Sequence, residues 1–158
     1  MHIVIIAALA FVAGMLLHRY LMQSRAKATE VPEPASSYEA SVTAASFDSM
    51  VLQTSRETPV LVDFYATWCP PCQYLGPVLA ETAKHYEGRF LLAKVDVDAE
   101  PALSERYKIK SMPTVMLFRD GNVVAQFVGA RQAHSVRFFL AQNGVMPPEQ
   151  PPASQGLT

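Results

Sequence analysis

The sequence predicts an α/β domain, a central mixed β-sheet flanked by helices, preceded by one N-terminal transmembrane helix. Three observations carry this expectation. Between residues 38 and 145, short runs of strand-formers alternate with segments of helical period. The last two strands are separated by Asp120-Gly121, a tight-turn signal that makes them antiparallel and the sheet mixed. Finally, Ile3 to Leu17 contains no charged or strongly polar side chain, and Tyr20, Leu21 and Met22 extend the apolar character past His18 and Arg19.

As a helix, Ile3 to Met22 spans ~30 Å, roughly one hydrocarbon thickness, so residues 1–23 are expected to form a membrane anchor. A cleaved signal peptide and a buried soluble helix are the competing readings. No Lys or Arg precedes the apolar run, and Ala26-Lys27-Ala28 lies beyond Arg19 and Arg25, which disfavours a signal peptide. Residues 24–37 shift to Ala, Ser, Pro, Glu and Lys, with Pro32 and Pro34 opposing helix, and read as a flexible linker. The domain proper is expected over 38–145, followed at 146–158 by a disordered Pro-rich tail.

Within the domain, Ser41-Val42-Thr43 is a candidate short strand, and Ser46 a candidate N-cap for a helix burying Phe47, Met50 and Val51. Val60 to Tyr65 follows Pro59 as a continuous apolar run, the mark of a central strand covered on both faces, with Asp63 its single acid. Pro71 to Tyr86 repeats Leu75, Val78 and Leu79 at helical spacing, with Pro77 placed to kink it. Phe90 to Val97 reads as a strand and Pro101 to Tyr107 as a short helix. Thr114 to Phe118 and Val123 to Val128 form the hairpin. Ser135 to Gln142, ending at Gly144, is an amphipathic helix with Val136, Phe139 and Leu140 on one side.

The chain has 158 residues, 50% hydrophobic, which suits one core. Thirteen basic against fourteen acidic residues leave no footprint for nucleic acid. The two cysteines are Cys69 and Cys72, so a multi-disulfide scaffold is excluded and one local pair needs an explanation.

Trp68-Cys69-Pro70-Pro71-Cys72 sits where a strand gives way to a helix. Pro70 and Pro71 lack amide hydrogens and keep the preceding residue extended, so the helix should start near Pro71 with Cys69 at its N-terminus. There the unpaired amides and the helix dipole favour a thiolate, making Cys69 the attacking sulfur and Cys72, expected to be more buried, the second. Cysteines three apart at a helix start reach disulfide geometry without large rearrangement. A half zinc site and an inert structural disulfide are the alternatives. Zinc needs two further ligands, and His2, His18, His85 and His134 show no finger-like spacing, so no metal is expected. His85 and His134 read as ordinary surface residues.

Val60 to Cys72, with Asp63 six residues before Cys69, resembles the active-site segment of thioredoxins. The likeness continues through Pro77, through Lys94, through the cis-proline loop at Met112-Pro113-Thr114, and through Gly121, Val128 and Gly129. It covers roughly Ser37 to Gly144. Pro70 departs from it, standing where the family usually has glycine. The resemblance implies a thioredoxin fold and a thiol-disulfide oxidoreductase, here a protein-disulfide reductase with no cofactor. In that cycle Cys69 attacks a substrate disulfide and Cys72 resolves the mixed disulfide. Asp63, expected to be buried, would accept the Cys72 proton, and Lys94 would tune it by charge. Met112 and Pro113 would present backbone polar groups to an extended substrate, adding it as a short strand, and Trp68, Pro70, Pro71, Met112, Val128, Gly129 and Ala130 would form a flat apolar rim around it.

The implied partners are protein disulfides and an electron donor, either a thioredoxin reductase or a membrane thiol carrier. Arg19, Arg25 and Lys27 all follow the apolar run, so the positive-inside rule turns the domain to the cytoplasm of a single-pass protein of the bacterial inner membrane. A periplasmic domain is the alternative, matching anchored relatives that act in oxidation, isomerisation or cytochrome maturation. A non-catalytic binding module and a thiol-dependent metal chaperone are the readings outside redox catalysis.

Overall fold

The computed structural model describes residues 38–149. The expected anchor 1–23, the linker up to residue 37 and the tail from 150 lie outside them. Among the described residues no helix is long and apolar enough to cross a membrane.

Five strands form one sheet in the order β1-β3-β2-β4-β5, with β1 at Glu39–Ser41, β2 at Val60–Tyr65, β3 at Leu91–Asp96, β4 at Thr114–Arg119 and β5 at Asn122–Val128. β3 runs parallel to both β1 and β2, whereas β4 is antiparallel to β2 and to β5, so the sheet is mixed. β2 lies at its centre, and Val60 to Phe64 are all buried. A strand flanked on both edges and both faces has no solvated side, which is why its sequence does not alternate.

Side-chain alternation divides the core in two. Val62, Phe64, Ala93, Val95, Met116 and Phe118 share one face with Phe47 and Val51 of the first helical segment. Leu61, Leu92, Val115 and Leu117 share the other with Leu75 and Leu79 of α2 (Pro70–His85) and with Val136, Phe139 and Leu140 of α4 (Ala133–Gln142). The short α3 (Pro101–Arg106) adds Leu103 to the first layer.

The first helical segment begins as α1 (Ala44–Phe47), widens to π geometry over Asp48–Gln53 and tightens to a 3-10 turn at Thr54–Arg56. Its cap corrects the expectation. Thr43 is the N-cap, accepting from the Ser46 amide, while the Ser46 hydroxyl accepts from the Thr43 N–H. Ser46 therefore closes a reciprocal capping box from inside the helix. β1 correspondingly starts two residues earlier than expected, although the Val42 N–H still donates to the Lys94 carbonyl at 2.8 Å. Met50 is only half-buried. α4 also starts before Ser135, at Ala133.

The hairpin turn has positive φ at both Asp120 (51°) and Gly121 (75°), the mirror-image turn that follows the natural twist of paired strands. It is tied to the first helical segment through Ser55, which is buried. Its hydroxyl donates to the Leu52 carbonyl and accepts from the Gly121 N–H, both at 2.9 Å, and its carbonyl accepts from the Asp120 N–H at 2.8 Å.

Candidate active site

At the end of β2 the chain turns through Ala66, Thr67 and Trp68 into α2. Cys69 is the N-cap, with extended φ −88° and ψ 109°, and its sulfur accepts from the Cys72 N–H at 3.3 Å. The helix starts at Pro70, one residue earlier than expected, because proline's fixed φ already suits the first helical position. Cys69 and Cys72 are joined in a disulfide, with their Cα atoms 5.3 Å apart. Pro70 and Pro71 donate nothing, so of the three amides that open a helix only that of Cys72 reaches the N-cap sulfur.

The expected difference in burial between the two cysteines is absent. Cys69 is 3% exposed and Cys72 5%. Cys69 is covered because the loop before β4 folds over it, placing the Met112 carbonyl oxygen 3.7 Å from its sulfur.

That loop contains a cis Met112–Pro113 peptide bond. Pro113 is buried, and its carbonyl accepts from the Gly129 N–H at 2.8 Å. The Pro113 carbonyl, expected to face an extended substrate, is thus engaged by Gly129 within the domain. Met112 is half-buried, and Ser111 before it is exposed. Trp68 (64% exposed), Pro70, Pro71, Val128 (56% exposed) and Ala130 are open to solvent, and Gly129 is half-buried with a positive φ of 87°. Trp68 is held in place by a hydrogen bond from its indole N–H to Asp98 at 2.7 Å. Gln73 braces the same loop, donating from its side chain to the Thr67 carbonyl at 2.9 Å. Neither partner was legible in sequence: Asp98 lies 30 residues from Trp68, and Gln73 looks like any exposed helix residue.

Asp63 sits in β2 and is 1% exposed. Burial pushes its carboxyl from 3.8 up to about 7, against the lowering pull of Lys94 and with a smaller upward push from Glu39. Among the described residues its Oδ1 has no hydrogen-bond partner. Lys94 is its register partner on β3, so the two residues share a face of the sheet. A cavity of about 450 Å³ opens beside this pair, lined by Cys72, Gln73, Gly76, Pro77 and Ala80 of α2 and by Tyr65 and Lys94 of the sheet. It joins the second cysteine to the lysine. Among the described residues no cluster of three or more metal-ligating side chains occurs. His85 and His134 lie exposed on α2 and α4.

The domain model of the thioredoxin family matches residues 39–142. Thioredoxin of Pseudomonas aeruginosa is 42% identical over 102 residues, covering 65% of this chain and 93% of that protein. Thioredoxin 1 of Synechococcus elongatus is 45% identical over 94 residues, 60% of this chain and 86% of its own length. The bifunctional thioredoxin reductase/thioredoxin of Mycobacterium leprae is 44% identical over 90 residues, 57% of this chain and 19% of that longer protein. With the family's domain spanning 39–142 and a closed cysteine pair within it, the chain belongs to the thioredoxin family and is a thiol-disulfide oxidoreductase.

Proposed function

We propose that this protein is a membrane-tethered protein-disulfide reductase. The observation that carries the direction of electron flow is the Cys69-Pro70-Pro71-Cys72 helix start, where two successive prolines withhold amides from the Cys69 sulfur. A thiolate with fewer donors is less stabilised, so the reduced pair gives up electrons more readily. The prolines also restrict the open loop, lowering the entropy lost when the disulfide closes.

In the cycle, the Cys69 thiolate attacks one sulfur of a substrate disulfide, forming a mixed disulfide and releasing the other substrate sulfur as thiolate. Cys72 then loses its proton and attacks Cys69. The second substrate thiolate leaves, and the Cys69–Cys72 bond closes. Substrate is reduced by two electrons and the pair is oxidised by two. Asp63 serves as acceptor of the Cys72 proton, supported by its burial and its titration close to neutrality. Lys94 tunes it. Trp68, Pro70, Pro71, Met112, Val128, Gly129 and Ala130 receive the substrate segment, with the Met112 backbone able to pair with an extended chain.

The uncharged run at Ile3 to Leu17 supports the tether, and Arg19, Arg25 and Lys27 behind it support a cytoplasmic domain recharged by a thioredoxin reductase. Trapping on a Cys72→Ser variant in cells tests both parts. Mixed disulfides with cytoplasmic proteins, recovered from the membrane fraction, are expected. Recovery of periplasmic proteins would overturn the topology, and a purified protein that leaves insulin-type disulfides intact would overturn the reductase reading.

A further inference from the structure

Lys94 lies between two carboxylates. On one side is Asp63, its register partner in β2, and on the other is Glu39, the first residue of β1. Its ion pair is with Glu39: Nζ to Oε1 is 3.3 Å, each side chain being 26% exposed, and the ammonium also lies 5.2 Å from the centre of the Tyr65 ring. Asp63 Oδ1, fully enclosed, has no partner among the described residues. The physical reason is solvation. A partly exposed pair keeps some of its hydration, whereas drawing the ammonium toward a buried carboxyl sacrifices it.

We propose that Glu39 is a positioning residue for the redox site, drawing the Lys94 ammonium toward the outer strand and weakening its hold on the Asp63 carboxylate. The inference rests on the reading of Asp63 as the proton acceptor for Cys72. The charged groups acting on Asp63 are Lys94 from β3 and Glu39 from β1. β4 offers only the apolar Val115 opposite it, β2 itself contributes Tyr65 two residues on, and α2 brings the bonded Cys72 to the cavity beside Lys94. Glu39 therefore acts in two ways with one sign. Its own charge opposes ionisation of Asp63, and its ion pair diverts Lys94, the cation that favours ionisation among the described residues. Added to burial, which is the larger cause, this helps the acid retain its proton into the neutral range, where it can exchange it with a thiol.

Carbon-13 NMR titration of the Asp63 carboxyl in the oxidised full-length protein reads this directly. In Glu39→Gln the midpoint should fall by about half a pH unit or more, and the acid limb of the rate at which Cys72 resolves a mixed disulfide should move down with it. Glu39→Asp, which keeps the charge one methylene back, should lie between that variant and the wild type. In a Lys94→Gln background the effect of Glu39→Gln should shrink to less than half, because the diverted cation is gone. An unchanged midpoint in Glu39→Gln would overturn the proposal, as would an equal shift with and without Lys94. Failure of the underlying reading looks different: Asp63→Asn would resolve mixed disulfides at the wild-type rate, while the titrations would still report the coupling.

Discussion

Replacing Asp63 by asparagine should stabilise the oxidised protein at neutral and alkaline pH and leave it nearly unchanged at pH 4. The side chain is 1% exposed, and burial raises its carboxyl from 3.8 to about 7. Below about pH 4 the group is protonated in both the folded and the unfolded chain, so it costs nothing. Between 4 and 7 the unfolded chain ionises while the folded one does not, and stability falls by about 1.4 kcal/mol per pH unit. Above 7 both states are ionised and the loss levels off. Roughly three units of separation give a penalty of about 4 kcal/mol, a large share of the 5 to 15 kcal/mol typical of a domain. Asparagine keeps the shape and cannot ionise. Urea unfolding of both oxidised proteins, from pH 4 to pH 8.5, measures the difference, and other titrating groups largely cancel in it. The advantage of Asp63→Asn should grow from near zero to about 4 kcal/mol, with most of the gain complete by pH 7. A difference that stays flat across this range would refute the account, since it would mean that Asp63 ionises in the folded state as readily as in the unfolded one.

Ser55→Ala removes the hydroxyl that links the Leu52 carbonyl to the Gly121 N–H, and should cost about 1 to 2 kcal/mol by urea unfolding. Ser49→Ala, which loses an exposed bond to the Ser46 carbonyl, should cost under ~0.5 kcal/mol. Equal losses in the two variants would remove the hairpin-to-helix tie from the explanation. Pro70→Gly restores an amide at the helix start and frees the open loop by about 0.4 to 1 kcal/mol, so the potential should rise by ~10 to 20 mV. Equilibration against a glutathione buffer measures it, and a fall in potential would contradict the direction of electron flow argued from the two prolines.

The central strand, the cysteine-bearing helix start and the hairpin were legible because each is dictated locally: an apolar run, a pair of prolines, an Asp-Gly turn. The cap of the first helix was misplaced because Thr43 and Ser46 are both good N-cap residues, and the box they form makes one the cap and the other its responder. The relative burial of the cysteines was misjudged because the cover over Cys69 comes from Met112, 43 residues away, which no local pattern announces. Glu39 was invisible for the same reason. It looks like the end of a charged linker until parallel pairing of β1 with β3 brings it beside Lys94. Asp63 is the intermediate case: its position in an apolar run announced burial, the largest cause of its raised titration, and the resemblance supplied Lys94, but the like charge of Glu39 comes from a strand no local pattern connects to it.

The hydrogen bond from the Gly129 N–H to the Pro113 carbonyl spans the two loops that border the disulfide, just beyond the point where Thr114 pairs with Val128. That bond adds to the strand pairing in holding the two loops together. A stiff template leaves the adapting to whatever meets it. If the protein is the reductase proposed, a disulfide in a segment able to straighten across Met112 and Val128 would meet that template more readily than one locked inside a folded core. The enzyme would in this way read how well folded its clients are.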